Sequence, residues 1–372
     1  MDITQARALT ARLAERIATN TGDEAPSMLT EDVADFLSPQ RAEREKQRFF
    51  RETPQIVGFA GELAEPHSWL TADVAGVPVL VTRDGDGGLH AMLNACAHRG
   101  ARVATGRGTG RRFTCRSHGW TFDGCGALVA RPRAECFDAP DERTHLTRLP
   151  VSDRSGLIVV GLDPAMPQSV VETHLAEIEP QLAGFDFRAM RALRTHRFGV
   201  RANWKLVAAL SYESYHFATL HRDTVATWFA PNAVHDFFGR HSRWAFARRG
   251  TEQLLQQDRA TWPESVPGAV SHALFPGTVL ITTPDDAQII RDRRRVRQQV
   301  ADPRAVETDD VGHRACSCAG YDLFLGCRIG AADQVDLDAG VRSFELVHQR
   351  AEGALGQFGL PPLGKLKGDR FT

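Results

Sequence analysis

The chain has almost no net charge of either sign. Its 372 residues carry 45 Lys and Arg against 46 Asp and Glu, which leaves −1 at neutral pH. Only Lys46, Lys205, Lys365 and Lys367 are lysines, and there is neither a basic stripe nor an acidic tail. Nothing equips such a chain to hold nucleic acid or an anionic membrane surface. No run of about 18 apolar residues occurs, so a membrane-spanning helix is not expected. Residues Met1 to Thr19 lack the apolar stretch of a secretion signal; Ile3, Leu9, Leu13 and Ile17 instead predict an amphipathic helix. Cysteine is sparse and odd in number, at seven. Cys125, Cys136, Cys316, Cys318 and Cys327 form no disulfide framework and read as reduced thiols of a cytoplasmic protein. A glycine fingerprint is also missing. Gly106-x-Gly-x-Gly110 opens no helix, so neither NAD nor flavin binding is expected.

What is present is a spacing of metal donors. Cys96 and His98, then Cys115 and His118, give C-x-H-x16-C-x-x-H. One thiolate and one imidazole per short loop suits a Rieske [2Fe–2S] centre, in which two Cys hold one iron and two His hold the other. Replacing Cys by His raises the reduction potential to roughly −150 to +300 mV, against about −400 mV for plant-type ferredoxins. Tetrahedral Zn²⁺ is the rival, but zinc sites favour Cys-Cys and His-His pairs within each short loop. Gly100 and Gly119 directly follow the two histidines, where closely folded loop tips call for glycine.

Around these loops the pattern is β. Val77–Thr82 and Leu89–Leu93 are short β runs separated by Asp84-Gly-Asp-Gly-Gly88, a hairpin signal, and Gly156–Leu162 reads as a buried strand. The predicted organisation is a helical segment at 1–46, an all-β domain at 47–162 and an α+β domain at 163–372. In the last, a helix is expected from Ser169 to Ile178, stopping before Pro180. Strands are expected at Leu193–Val200, Ser242–Ala247 and His272–Ile281, with a helix from about Trp204 to Thr219 between the first two.

That helix carries a second donor set. After Asn203-Trp204-Lys205-Leu206 come Glu213-Ser214-Tyr215-His216 and then His221. Two imidazoles with one carboxylate on a single face of iron form the facial triad of non-haem Fe(II) oxygenases, which leaves open positions. A spacing of five does not put two ligands on one face of a regular helix, so the helix is expected to end or distort between them.

Taken together, these motifs resemble the large (alpha) subunits of Rieske non-haem iron oxygenases, the ring-hydroxylating oxygenase family, over nearly the whole chain. The resemblance implies a Rieske domain followed by a helix-grip catalytic domain holding mononuclear Fe(II). It also implies a homotrimer in which the cluster of one subunit feeds the iron of its neighbour. By resemblance His216 and His221 are iron ligands, and Glu213 links a cluster histidine of one subunit to an iron-ligand histidine of the next. The family usually has Asp at that place; Glu is similar to the carnitine and betaine oxygenase branch. The third ligand is expected downstream of Tyr321-Asp322-Leu323-Phe324. Asp333 is the first choice, with Asp336, Asp338 and Glu345 as alternates, or no ligand at all. Ala209 and Leu210 are expected to face the iron, with Phe217, Leu220, Trp228, Phe229 and Phe324 around an apolar pocket.

The function implied is that of a terminal oxygenase. Electrons come from a separate NAD(P)H-dependent reductase, directly or through a ferredoxin, and O2 is used to monooxygenate a small molecule by hydroxylation or demethylation. Aromatic cis-dihydroxylation is the alternative within the class. A Rieske electron carrier without catalytic iron is the alternative outside it.

Overall fold

The computed structural model describes residues 1–200, 202–284, 286–293 and 342–350. The chain opens with helix α1 (Ile3–Ala18), whose Asp2 carboxylate accepts the Gln5 N–H at 2.8 Å and so caps otherwise unpaired amide groups. Leu9 and Leu13 are buried against Val234, Ala245 and Val270, as the amphipathic spacing predicted. Two short helices follow, α2 (Ala34–Leu37) and α3 (Pro39–Glu45).

Next comes the β domain, built on β1 (Gln55–Phe59), β2 (Ser68–Val74), β3 (Val77–Arg83), β4 (Leu89–Leu93), β5 (Arg107–Thr109), β6 (Arg112–Thr114), β7 (Thr121–Asp123), β8 (Leu128–Ala130), β9 (Arg148–Leu149), β10 (Val151–Arg154) and β11 (Leu157–Val160). They form a five-stranded sheet in the order β5-β2-β3-β4-β9 and two three-stranded sheets, β6-β7-β8 and β1-β11-β10. Alternation along β2 buries Leu70, Ala72 and Val74 on one face, the period-2 signature of a strand on a core. The Asp84–Gly88 hairpin forms where it was expected: Asp84 Oδ1 accepts the N–H groups of Asp86 at 3.0 Å and Gly88 at 2.6 Å.

The remaining elements are α4 (Gln168–Thr173), α5 (Glu179–Leu182), β12 (Arg191–Val200), α6 (Trp204–Leu210), α7 (Phe217–Leu220), α8 (Val225–Trp228), β13 (Val234–Phe238), β14 (His241–Ala247), β15 (Gly268–Leu274), β16 (Thr278–Thr282), β17 (Asp286–Arg293) and β18 (Arg342–Arg350). The seven strands make one antiparallel sheet in the order β12-β18-β17-β16-β15-β14-β13. This is the expected α+β layering, an antiparallel sheet with helices on it. Cores cross between the parts: Trp204 joins Phe50, Val57 and Val160, and Leu274 and Ile289 pack with Leu157 and Phe59.

Three expectations need correction. The helix expected at 169–178 is shorter, ending at Thr173 with Pro167 rather than Ser169 at the N-cap, and a separate helix α5 begins at Glu179 with Pro180 in its first turn. Proline fits there because first-turn amides lack intrahelical partners. The strand expected over His272–Ile281 is split into β15 and β16 by the turn at Phe275-Pro276-Gly277. The helix expected from Trp204 to Thr219 is broken after Leu210 and restarts at Phe217.

Candidate iron centres

The two cluster loops are built alike. In the first, the Cys96 N–H donates to the Ala101 carbonyl (2.8 Å) and the Gly100 N–H to the Cys96 carbonyl (2.8 Å). In the second, the Cys115 N–H donates to the Trp120 carbonyl (2.8 Å) and the Gly119 N–H to the Cys115 carbonyl (2.9 Å). Offsets of four and five residues thus recur in both. Gly100 and Gly119 both have φ of +73°, a left-handed conformation that costs an L side chain roughly 1–2 kcal/mol. The sequence therefore makes one hairpin tip twice, each presenting a Cys and a His.

The four donors come together. Cys96 and Cys115 are buried and their thiols hydrogen-bond each other. The His98 and His118 rings lie 4.6 Å apart between centroids at 81°. Trp120 stacks on His98 at 5.1 Å and 10°, and Arg131 lies over Trp120 at 5.4 Å. Burial, with the neighbouring Cys115 thiol, pushes the Cys96 thiol up, although backbone N–H groups oppose it. Burial acts on Cys115 too, but the N–H groups of Ser117 and His118 and the Cys96 thiol outweigh it, and that thiol is lowered. His98 is lowered by burial and by the charge of His118 and Arg99. Its buried Nδ1 has no hydrogen-bond partner among the described residues. A buried, unpartnered imidazole nitrogen beside a second histidine and two paired thiols is a donor set that fits a Rieske cluster.

The second set sits where α6 breaks. Asn203 caps α6, its Oδ1 accepting the Lys205 N–H at 3.0 Å while its Nδ2 donates to the Phe36 carbonyl at 2.7 Å. Trp204 Nε1 donates to buried Glu45 at 2.8 Å, and Lys205 Nζ pairs with the same carboxylate and donates to the Asp35 carbonyl at 2.9 Å. Asn203, Trp204 and Lys205 are thus the bolts that fix α6 to the N-terminal segment. The partner Glu45 lies 159 residues from Trp204, and no local sequence signal could have found it.

Beyond α6 the Ser211 carbonyl accepts Trp244 Nε1, and Ser214 Oγ donates to the Pro231 carbonyl at 2.6 Å. These distant partners replace helix bonds and open the backbone. Glu213 lies in the opened stretch, His216 stands at the start of α7 and His221 at its end. The helix was expected to end or distort between the two histidines; α7 instead spans Phe217–Leu220 and ends just before His221, while the larger break lies upstream of His216. The two rings lie 5.2 Å apart at 67°. Glu213 binds His216 twice: one oxygen hydrogen-bonds Nδ1 and the other accepts the backbone N–H at 3.1 Å. With Nδ1 engaged, Nε2 is the ring's remaining metal donor.

The expected third ligand Asp333, with its alternates Asp336 and Asp338, lies outside the described residues, as does Phe324. The Glu345 backbone is in β18, paired with Arg197 of β12 and Arg291 of β17. The apolar pocket is corrected in part. Phe217 and Phe229 pack into a core with Trp244 and Phe246, whereas Leu210, Leu220 and Trp228 are exposed. Edge-to-face contact with Phe246, at 5.0 and 5.1 Å between centroids, claims the two phenylalanines for the core.

Comparison with known proteins matches both parts of the chain. The Rieske [2Fe-2S] domain model matches residues 53–150, and the ring hydroxylating alpha subunit (catalytic domain) model matches 187–292. The chain belongs to the Rieske non-haem iron oxygenases. Like other members, this Rieske oxygenase uses a [2Fe–2S] cluster and a mononuclear iron. It is similar to the carnitine monooxygenase oxygenase subunit of Acinetobacter baumannii, 28% identical over 248 residues, or 62% of each chain. It is also similar to the anthranilate 1,2-dioxygenase large subunit of Acinetobacter baylyi, 27% identical over 52% of this chain and 42% of that one. The chain thus spans less than two thirds of the length of these relatives. In fold it is similar to the quaternary ammonium Rieske monooxygenase CntA bound to L-carnitine, with a TM-score of 0.64 and 18% identity over 87% of this chain and 76% of that one. Naphthalene 1,2-dioxygenase from Rhodococcus sp. gives 0.58 and 19% over 77% and 72%.

Proposed function

We propose that this Rieske oxygenase is the terminal component of a monooxygenase that hydroxylates or demethylates a small, non-aromatic, N-methylated molecule. The observation that carries the reading is the acid three residues before His216. Glu213 is bound to His216 within the chain, and glutamate at this place matches the carnitine-type branch the sequence resembles. The relatives add support, since one is named a carnitine monooxygenase oxygenase subunit.

In this reading Cys96, Cys115, His98 and His118 hold the cluster, and His216 and His221 hold the iron with Asp333 as third ligand. The iron, when bound, supplies O2 activation. Glu213 fixes the His216 ring and its tautomer by holding Nδ1, and its carboxylate remains 39% exposed. That exposure leaves it able to meet a cluster histidine of a neighbouring copy in a homotrimer, a short bonded route for an electron. Exposed Arg99 and Arg116 follow His98 and Cys115 directly and favour an acidic electron donor. That donor is an NAD(P)H-dependent reductase, with or without a ferredoxin, in the cytoplasm. No helix among the described residues is long and apolar enough to cross a membrane. The balance is one oxygen atom inserted into a C–H bond and one released as water, with two electrons and two protons consumed.

The experiment is product analysis under ¹⁸O2 with reduced protein, offering a trimethylammonium acid such as L-carnitine and an aromatic acid in parallel. One labelled oxygen in a hydroxylated or demethylated product supports the reading. A doubly labelled cis-diol from the aromatic acid would replace it with dioxygenation, the activity named in the anthranilate relative. Bound cluster with no product and no mononuclear iron would make the chain an electron carrier.

A further inference from the structure

A third cluster of metal-ligating side chains lies in the Rieske domain, outside both iron centres. Asp84, His90 and Cys125 bring a carboxylate oxygen, a ring nitrogen and a sulfur within 4.8 Å of one another. Asp84 Oδ2 is 2.7 Å from His90 Nε2, and Cys125 Sγ is 3.6 Å from that same nitrogen.

The arrangement is built from two hairpins. Asp84 closes the β3–β4 turn with Oδ1, which leaves Oδ2 directed at His90. Asp123 closes the β7–β8 turn in the same way, its Oδ1 accepting the N–H groups of Cys125 and Ala127 at 2.9 Å each. Thr82 is the cross-strand partner of His90. It is buried, and its Oγ1 donates to the Gly124 carbonyl at 2.6 Å. One tether therefore holds Cys125 beside the histidine. All three ligand residues are half-buried, so an ion can enter without unfolding the domain.

The two contacts compete for one atom. A ring nitrogen carries at most one proton, so Nε2 can donate to Asp84 or meet Cys125, not satisfy both. A cation between the three donors replaces that competition with three bonds. A thiolate excludes Mg²⁺ and Ca²⁺, which take oxygen ligands. A mixed S, N, O set of three suits Zn²⁺ with a fourth position left open. Zinc–sulfur and zinc–nitrogen bonds of about 2.3 and about 2.0–2.1 Å at a tetrahedral angle place those donors roughly 3.5–3.6 Å apart. The Cys125–His90 separation already lies in that range. The carboxylate must withdraw by roughly 0.6 Å to reach its own bonding position.

We propose that Asp84, His90 and Cys125 form a zinc site that pins the β3–β4 and β7–β8 hairpins together. The test uses the purified protein with cluster and iron in place, titrated with Co²⁺ as a spectroscopic probe and then with Zn²⁺ as competitor. The expected result is a thiolate-to-cobalt charge-transfer band that saturates at one equivalent and is bleached by Zn²⁺. It should persist in His216→Ala, which removes the catalytic site as a source, and vanish in Cys125→Ser. His90→Gln should weaken Co²⁺ binding at least tenfold, with the Rieske spectrum of each variant showing that the domain is folded. No band in the wild-type protein, or a band retained in Cys125→Ser, would overturn the proposal and leave an ordinary Asp84–His90 pair beside a bystander thiol.

Discussion

Glu213 grips His216 at two points, the ring Nδ1 and the backbone N–H, across only three residues. The grip is possible because the chain is not helical there. The Ser211 carbonyl has turned to Trp244, and the freed backbone lets the carboxylate fold over the ring. One acid therefore sets the direction in which His216 presents its other nitrogen.

Glu213→Gln should keep both metals but lose the charged partner of the His216 ring. Outer-shell partners of metal-bound histidines are typically worth about 10–100-fold in activity or affinity. The expected outcome is a turnover rate lower by that factor, with unchanged iron content, read in single-turnover kinetics of cluster oxidation. Unchanged kinetics would remove the residue from the electron route.

His216→Ala should abolish turnover and strip the mononuclear iron while the Rieske absorption stays intact. The two donor sets belong to different cores, with Cys96 and Cys115 packed against Met92 and Phe122, and Phe217 against Trp244 and Phe246. Loss of the cluster in this variant would contradict that separation.

Gly100 and Gly119 share a φ of +73° but differ in surroundings. A Cβ on Gly100 meets nothing within 4 Å, whereas one on Gly119 lies 3.1 Å from Pro132 Cγ. Gly100→Ala should cost about 1–2 kcal/mol, the left-handed backbone alone. Gly119→Ala should cost more and shed the cluster faster on heating. Equal losses in thermal melts followed at the cluster absorption would show that Pro132 yields freely.

The Glu45 carboxylate, 7% exposed, serves both Trp204 and Lys205. Breaking a buried pair by removing one partner costs about 3–5 kcal/mol, and the partly exposed Lys205 places Glu45→Ala at about 3 kcal/mol. Denaturant titration should show this loss, together with weaker mononuclear iron binding, because α6 leads directly into Glu213.

His174 is pushed down to about 4 by burial, with the neighbouring His241 adding to the effect and the Phe275 carbonyl opposing it. Its unfolded value is near 6.5, so between these values the unfolded chain binds more protons than the folded one. Stability must then rise with pH across that window and be lost as pH falls from about 6.5 to 4. The shift corresponds to about 3 kcal/mol. His174→Asn should flatten the fall in unfolding free energy between pH 7 and pH 5.

Much of this was legible because it is local. The cluster loops, the Asp84–Gly88 turn and the capped first helix each depend on residues within five or six positions. The break after Leu210 was not legible, because the spacing argument concerned only the stretch between His216 and His221; Trp244 lies 33 residues from Ser211 and Pro231 17 residues from Ser214. The anchoring by Glu45 and the meeting of Cys125 with His90 depend on tertiary packing that no spacing records. Aromatics near the iron histidines could line a pocket or join the core from sequence alone, and core is the commoner fate. Phe246 across the sheet decided two of them for the core.

The central claim is that one chain carries both a Rieske cluster and a catalytic iron on His216 and His221. Electron paramagnetic resonance of the purified protein tests it most directly, first after dithionite reduction and then after nitric oxide, alongside an iron count. The expected result is a Rieske signal in the first spectrum, an Fe(II)–nitrosyl signal in the second and three irons per chain. A Rieske signal with two irons and no nitrosyl species would contradict it.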